Sequence, residues 1–183
     1  MRIVAGSVRG RTLKGPKGAD VIRPTADRVR QSLFNVLGQT CEGLRVLDLF
    51  AGTGALAFEA LSRGAVKAVL VDSGREAQQL CKENAAALGF TIELLPLTAE
   101  KGIARLAARG DRFELIFADP PYAQTAVDNL LAWLTAHPLL AAGGQLVLEH
   151  SKYETAPEVS GAFTRVDQRT FGETVVSIFT LAG

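Results

Sequence analysis

The stretch LRVLDLFAGTGALAFEALSRGAVKAVLVD (residues 44–72) decides the fold. It opens on a compact apolar run, Leu44–Phe50, and turns through Ala51-Gly52-Thr53-Gly54. A helical pattern then spans Ala55–Ser62, and a second apolar run ends at Asp72. Strand, glycine turn, helix and strand make a βαβ unit, in which the two strands lie parallel. The alternation continues downstream: helix over Gly74–Leu88, strand over Thr91–Leu97, helix over Glu100–Ala108, strand over Phe113–Asp119, helix over Ala123–Thr135 and strand over Gly144–His150. The end differs. Phe163–Arg169 and Thr174–Leu181 are β runs joined only by Thr170-Phe171-Gly172-Glu173, and so short a link forces an antiparallel pair. The expected fold is α/β: a doubly wound, mostly parallel sheet with helices on both faces and a C-terminal antiparallel hairpin.

Working outward to the N-terminus, residues 1–24 mix short apolar pieces with Gly, Pro and Arg and read as a hairpin followed by a loop. Pro24-Thr25 opens a helix that Thr25 caps, with Val29, Leu33, Val36 and Leu37 as its buried face. Residues 1–183 are read as a single domain, with 1–24 a basic extension and 25–183 a helix plus the α/β core.

Composition agrees with this reading and excludes others. In 183 residues, 48% hydrophobic and 21% charged, there is ample material for a core, so global disorder is excluded. No apolar run reaches the ~18 residues of a membrane helix, and the N-terminus has no apolar signal core. The two cysteines, Cys41 and Cys81, fit neither a disulfide framework nor a zinc pattern and read as free thiols in the cytoplasm. The net charge of +1 hides an asymmetry. Residues 1–30 carry eight basic side chains against Asp20 and Asp27, whereas the remainder holds 12 basic and 17 acidic groups. A basic arm on an acidic body points to a polyanionic partner.

Ligands of such sheets bind beyond the carboxyl ends of the strands. Gly52 and Gly54 permit a tight turn and close backbone approach there. Asp72, twenty-four residues after Asp48 at the next strand's tip, can accept both hydroxyls of a ribose. GTGALA also fits the loose dinucleotide pattern, which makes a nicotinamide or flavin oxidoreductase the first rival. Asp48, however, would crowd a pyrophosphate and would pair with an ammonium. Asp48 with Asp72 therefore suits S-adenosylmethionine, which carries a ribose, an ammonium and a sulfonium but no phosphate.

The tetrapeptide Asp119-Pro120-Pro121-Tyr122 follows the fourth strand. Its prolines make the loop rigid and extended. The Asp119 carboxylate and Pro120 carbonyl then form two fixed acceptors for a planar amine, with Tyr122 stacking on the attached base. Hydrogen bonds to both amine protons favour a pyramidal nitrogen whose lone pair faces a methyl-sulfonium, so catalysis is mainly orientation and electrostatics. Neither His137 nor His150 is needed for it.

These residues resemble an amino-group methyltransferase of the Rossmann-like, S-adenosylmethionine-dependent class. RIVAGSVRGRTLKGP (2–16), RPTADRVRQSLFN (23–35), VLDLFAGTGALAFEALSRGA (46–65), FELIFADPPY (113–122) and FGET (171–174) together resemble the RsmD family. The resemblance implies methylation of the N2 amine of one guanine in 16S ribosomal RNA. The partner it implies is that RNA, in a small ribosomal subunit or an assembly intermediate, with no metal. It also implies cofactor contacts from Asp48, Phe50, Gly52, Gly54, Asp72 and the Thr98-Ala99 pair, and a grip on the target from Asp119, Pro120, Pro121 and Tyr122. Arg9, Arg11, Arg23 and Arg28 become candidate phosphate contacts. Three positions depart from the family pattern: Thr98-Ala99 where Asp-Ala is usual, Arg30-Gln31 where Arg-Glu is common, and Asp72 where Glu is frequent. The DPPY motif is shared with adenine-N6 and cytosine-N4 methyltransferases, which stand as the alternative within the class. A non-catalytic rRNA-binding assembly factor is the alternative outside it.

Overall fold

The computed structural model describes residues 1–16, 24–121 and 125–182. Eight strands form one sheet: β1 (Arg45–Leu49), β2 (Lys67–Val71), β3 (Glu93–Leu95), β4 (Phe113–Ala118), β5 (Leu140–Ser151), β6 (Val159–Ser160), β7 (Phe163–Phe171) and β8 (Thr174–Leu181). Their order is β3-β2-β1-β4-β5-β8-β7-β6. The first five are parallel, and β8, β7 and β6 continue the sheet antiparallel. Strand order reverses between β1 and β4, so the carboxyl ends of these two strands flank the crevice where such sheets take ligands.

Five helices cover the faces: α1 (Pro24–Val36), α2 (Ala55–Ser62), α3 (Arg75–Leu88), α4 (Ala99–Ala108) and α5 (Ala126–Ala136). Side chains alternate across each strand, and the core divides accordingly. Leu47, Val69, Ile116 and Leu148 pack with α4 and α5 on one face. On the other, Val46, Phe117 and Val147 pack under Leu33 and Phe34 of α1. Ala68 and Leu70 pack there under α2 and α3.

The expected elements recur with shifted ends. β5 begins at Leu140 rather than Gly144, past an irregularity in its pairing with β4. The β7–β8 strands pair as far as Phe171 and Thr174, so the expected four-residue link shrinks to Gly172-Glu173, with Gly172 at φ +66°. The short strand β6 was not anticipated. α1 already includes Pro24, so Thr25 sits inside its first turn rather than capping it. Val36 is exposed, and the buried face is carried instead by Arg30, Leu33 and Phe34. Apolar spacing does not mark Arg30 as buried, because burying a guanidinium needs a partner that periodicity does not display.

That partner explains the N-terminal segment. Residues 2–12 form a small antiparallel turn (Arg2 bridged to Thr12) with Ile3 and Leu13 buried against α2 and α3. α2 is consequently covered on both sides, and its single acid, Glu59, has no exposed surface. Glu59 accepts from Val4 N at 2.8 Å, Ala5 N at 3.0 Å and Arg63 Nε at 2.9 Å, and pairs with Arg30 Nε at 3.4 Å. Ser62 and Asn84 bind the backbone of residues 5, 8 and 14. The basic segment is thus strapped to the body by buried polar groups, a docking that hydrophobic pattern does not reveal.

Candidate active site

The loop after β1 is shaped by backbone. Phe50 N and Ala51 N both donate to Val71 O, at 3.0 and 3.2 Å, which bends the chain sharply out of the strand. Phe50 takes φ +63°, rare for a non-glycine, and Gly52 and Gly54 take +55° and +76°. Gly54 permits close packing: a Cβ there would lie 2.5 Å from Phe58 Cε2. At Gly52 a Cβ would meet nothing nearer than 4.0 Å, so its backbone faces open space. Asp72 pins the loop from the end of β2, accepting from Gly52 N at 2.9 Å and Gly74 N at 2.8 Å. Cys81 of α3 donates its thiol to Gly52 O at 3.3 Å.

Asp48 lies beneath this loop, 4% exposed. Its Oδ2 accepts from Ala57 N at 3.2 Å, so a strand residue caps the first turn of α2. Burial drives its carboxyl well above the usual range, and the charges of Asp119 and Asp72 push the same way.

Asp48 borders a cavity of about 460 Å³ at the switch point, floored by Phe50 and Gly52, walled by Leu33 of α1 and by Phe171, and shared with Asp119 and Glu149. The size suits a small-molecule site. Asp119 is open to water through the cavity mouth, yet the surrounding protein desolvates its carboxyl enough to raise it to about 6. Pro120 behind it is buried and Pro121 exposed. Desolvation, then the neighbouring Asp119 charge, raises Glu149 to about 7. A cavity edged by three carboxyl groups favours a cationic or hydrogen-bond-donating occupant.

The structure thus brings Asp48, Phe50, Gly52 and Asp119 to one cavity, with Asp72 and Gly54 shaping its loop. Thr98 and Ala99 follow β3, separated from β4 by β2 and β1, with Ala99 opening α4. Thr98 caps that helix, accepting from Lys101 N at 3.4 Å. Arg9 and Arg11 are exposed, at the far end of α2 and α3 from the cavity; Arg11 donates to Ala87 O at 2.6 Å. Arg23 and Tyr122 lie outside the described residues, as does the side chain of Arg28. Sequence reasoning missed Glu149. Its signal is positional: like Asp119, it follows the last residue of the parallel β4–β5 pairing. His150, on the opposite face, is a buried histidine bound to Ser177 Oγ at 2.9 Å and to Ser151 O at 3.0 Å.

Among the described residues no group of His, Cys, Asp and Glu side chains could hold a metal ion, and no helix is long and apolar enough to cross a membrane.

A family model described as conserved hypothetical protein 95 matches residues 1–180. The chain is 37% identical to YlbH of Bacillus subtilis over 185 residues, covering 100% of both. It is 31% identical, over 98% of its own length and 89% of the other's, to ribosomal RNA small subunit methyltransferase D of Escherichia coli. The solved structure of yhhF from Escherichia coli superposes with a TM-score of 0.86 at 30% identity, covering 99% of this chain and 97% of that one. A match along nearly the whole chain, with the switch-point cavity where the fold requires it, places this protein in the RsmD family of rRNA methyltransferases.

Proposed function

We propose that the protein transfers a methyl group from S-adenosylmethionine to the exocyclic N2 amine of a guanine in 16S rRNA of the small ribosomal subunit, in the cytoplasm. The observation that carries the donor is Asp48. In a dinucleotide enzyme the first turn of this helix faces a pyrophosphate. Here the Asp48 carboxyl already takes an amide of that turn, which counts against a pyrophosphate there and so against the oxidoreductase reading. The residues fit S-adenosylmethionine instead: a cationic end beside Asp48 would favour its ionised form, the open backbone at Gly52 allows close approach, and Asp72 stands at the strand tip for a ribose. The cofactor supplies an electrophilic methyl group on a sulfonium.

The chain's own groups do the rest. Asp119 and the Pro120 carbonyl accept the two amine protons and orient the nitrogen lone pair; Pro121 holds the loop stiff and Tyr122 stacks on the base. Asp119, with its carboxyl near 6, is largely ionised at neutral pH and takes the proton that the nitrogen sheds as the new bond forms. The target base reaches this cavity only when unstacked. Arg9 and Arg11, at the other end of the hairpin, contact phosphates distant from the target rather than beside it.

The test is labelled S-adenosylmethionine with naked 16S RNA, undermodified small subunits and duplex DNA as acceptors, followed by nucleoside analysis. Label in N2-methylguanosine from RNA or subunits is the expected result. Label in N6-methyladenine or N4-methylcytosine would overturn the guanine assignment, and no label with folded protein would favour a binding factor.

A further inference from the structure

Three strands deliver carboxylates to one face of the sheet near its carboxyl edge, Asp119 and Glu149 level with each other and Asp48 two residues deeper. Ala118 of β4 pairs in register with Leu148 of β5, so the next residues on each strand, Asp119 and Glu149, are neighbours across the parallel pair. Leu115, Phe117 and Val147 belong to the core under α1, so strand alternation sends Asp119 and Glu149 to that same face, as it does Asp48 beyond Val46. All three line the cavity.

Asp48 already caps α2. Glu149 is different: it is half-buried, and no hydrogen-bond donor meets it among the described residues. Desolvation raises both its carboxyl and that of Asp119, and the Asp119 charge pushes Glu149 further the same way. Two neighbouring carboxyl groups in a desolvated cleft do not stabilise each other. They match a ligand edge that presents two adjacent N–H donors.

The bases that carry an exocyclic amine differ at the ring atom beside it. In guanine that atom is N1, which bears a hydrogen. In adenine the corresponding N1, and in cytosine N3, is a lone-pair acceptor. We propose that Glu149 is the residue that selects guanine: its carboxylate accepts the N1–H of the target while Asp119 accepts from the adjoining amine. This rests on the methyltransferase reading above. Against adenine or cytosine the same carboxylate faces a lone pair, so the pair of acids rejects them by repulsion and by an unmade hydrogen bond. The Asp-Pro-Pro-Tyr loop shared with adenine and cytosine enzymes grips the amine alone, and base choice passes to the neighbouring strand.

The experiment uses full-length protein and small-subunit RNA joined from segments, so that the position found to be methylated carries guanine, 2-aminopurine or adenine. 2-Aminopurine keeps the 2-amine but has an acceptor at N1. Wild type is expected to prefer guanine over 2-aminopurine by about 100-fold in kcat/KM, and Glu149→Gln by less than about 10-fold. Glu149→Asp, which keeps the charge, is expected to be slower with the preference retained. Unchanged affinity for S-adenosylhomocysteine shows that each variant is folded. An equal preference in wild type and Glu149→Gln, or no preference in wild type, overturns the assignment of Glu149 and leaves guanine methylation standing. Wild-type label in an adenine or cytosine amine instead refutes the guanine reading, and this one with it.

Discussion

Replacing Glu59 by Ala tests whether buried ionic groups or apolar packing hold the N-terminal hairpin to the body. Glu59 is fully buried, and its partners Arg30 and Arg63 show only 4% and 6% of their side chains. Truncation leaves two guanidinium groups without this carboxylate and removes the acceptor of the Val4 and Ala5 amides. Removing one member of a buried ion pair costs about 3–5 kcal/mol, because the remaining charge stays desolvated. For a chain of 183 residues each kcal/mol lowers Tm by about 2–4 °C, so the fall should be on the order of 10 °C. Burial of Ile3 and Leu13 opposes release of the hairpin by about 1.5–3 kcal/mol each, comparable with the loss. Detachment of residues 1–14 therefore competes with global unfolding. Denaturant titration with amide hydrogen exchange separates the two: exchange at Val4 and Ala5 should accelerate first, with the core strands following only near the transition. Glu59→Gln, which keeps the shape but turns an amide donor toward other donors, should fall between. A loss under about 1 kcal/mol, with exchange at Val4 and Ala5 unchanged, would refute the reasoning and assign the docking to apolar contact.

Other outcomes follow from the same groups. Asp119→Ala should abolish turnover with S-adenosylhomocysteine affinity nearly intact, whereas Asp72→Ala should weaken that affinity by calorimetry; the reverse pattern would exchange their roles. Glu149 is raised in the folded state from 4.5 to about 7, so between those values the folded protein keeps a proton that the unfolded chain has released. The folded state thus binds the extra proton, and stability contributed by Glu149 is present below about pH 4.5 and lost as pH rises towards 7. Glu149→Gln should accordingly remove part of the wild-type fall in denaturant midpoint between pH 5 and 8, and an unaltered fall would show that Glu149 is not the titrating group. Reversing the charges of Arg9 and Arg11 should reduce the salt slope of RNA binding by about 1–2 and leave base specificity untouched, and an unchanged slope would place the RNA footprint elsewhere.

Apart from the two-residue β6, the order and type of elements from Leu44 onward were legible in sequence because strand and helix impose different periods on apolar residues, and glycines mark the turns between them. So were Asp48, Asp72 and Asp119 as strand-end acids, since a doubly wound fold sends every such end to one edge. Periodicity could not place Val36 outside the core, nor Arg30 and Glu59 within it. Those choices depend on a hairpin some thirty to fifty residues away in the chain, whose backbone donors and buried apolar pair make an ion-paired interior tolerable. Glu149 went unread for a related reason: a strand-end acid means little until register sets it beside another. Local pattern suffices to gather acids and a glycine loop at the carboxyl edge of a parallel sheet. Which of those acids share a cavity is a tertiary matter, because strand order and register are long-range pairings that local pattern does not encode.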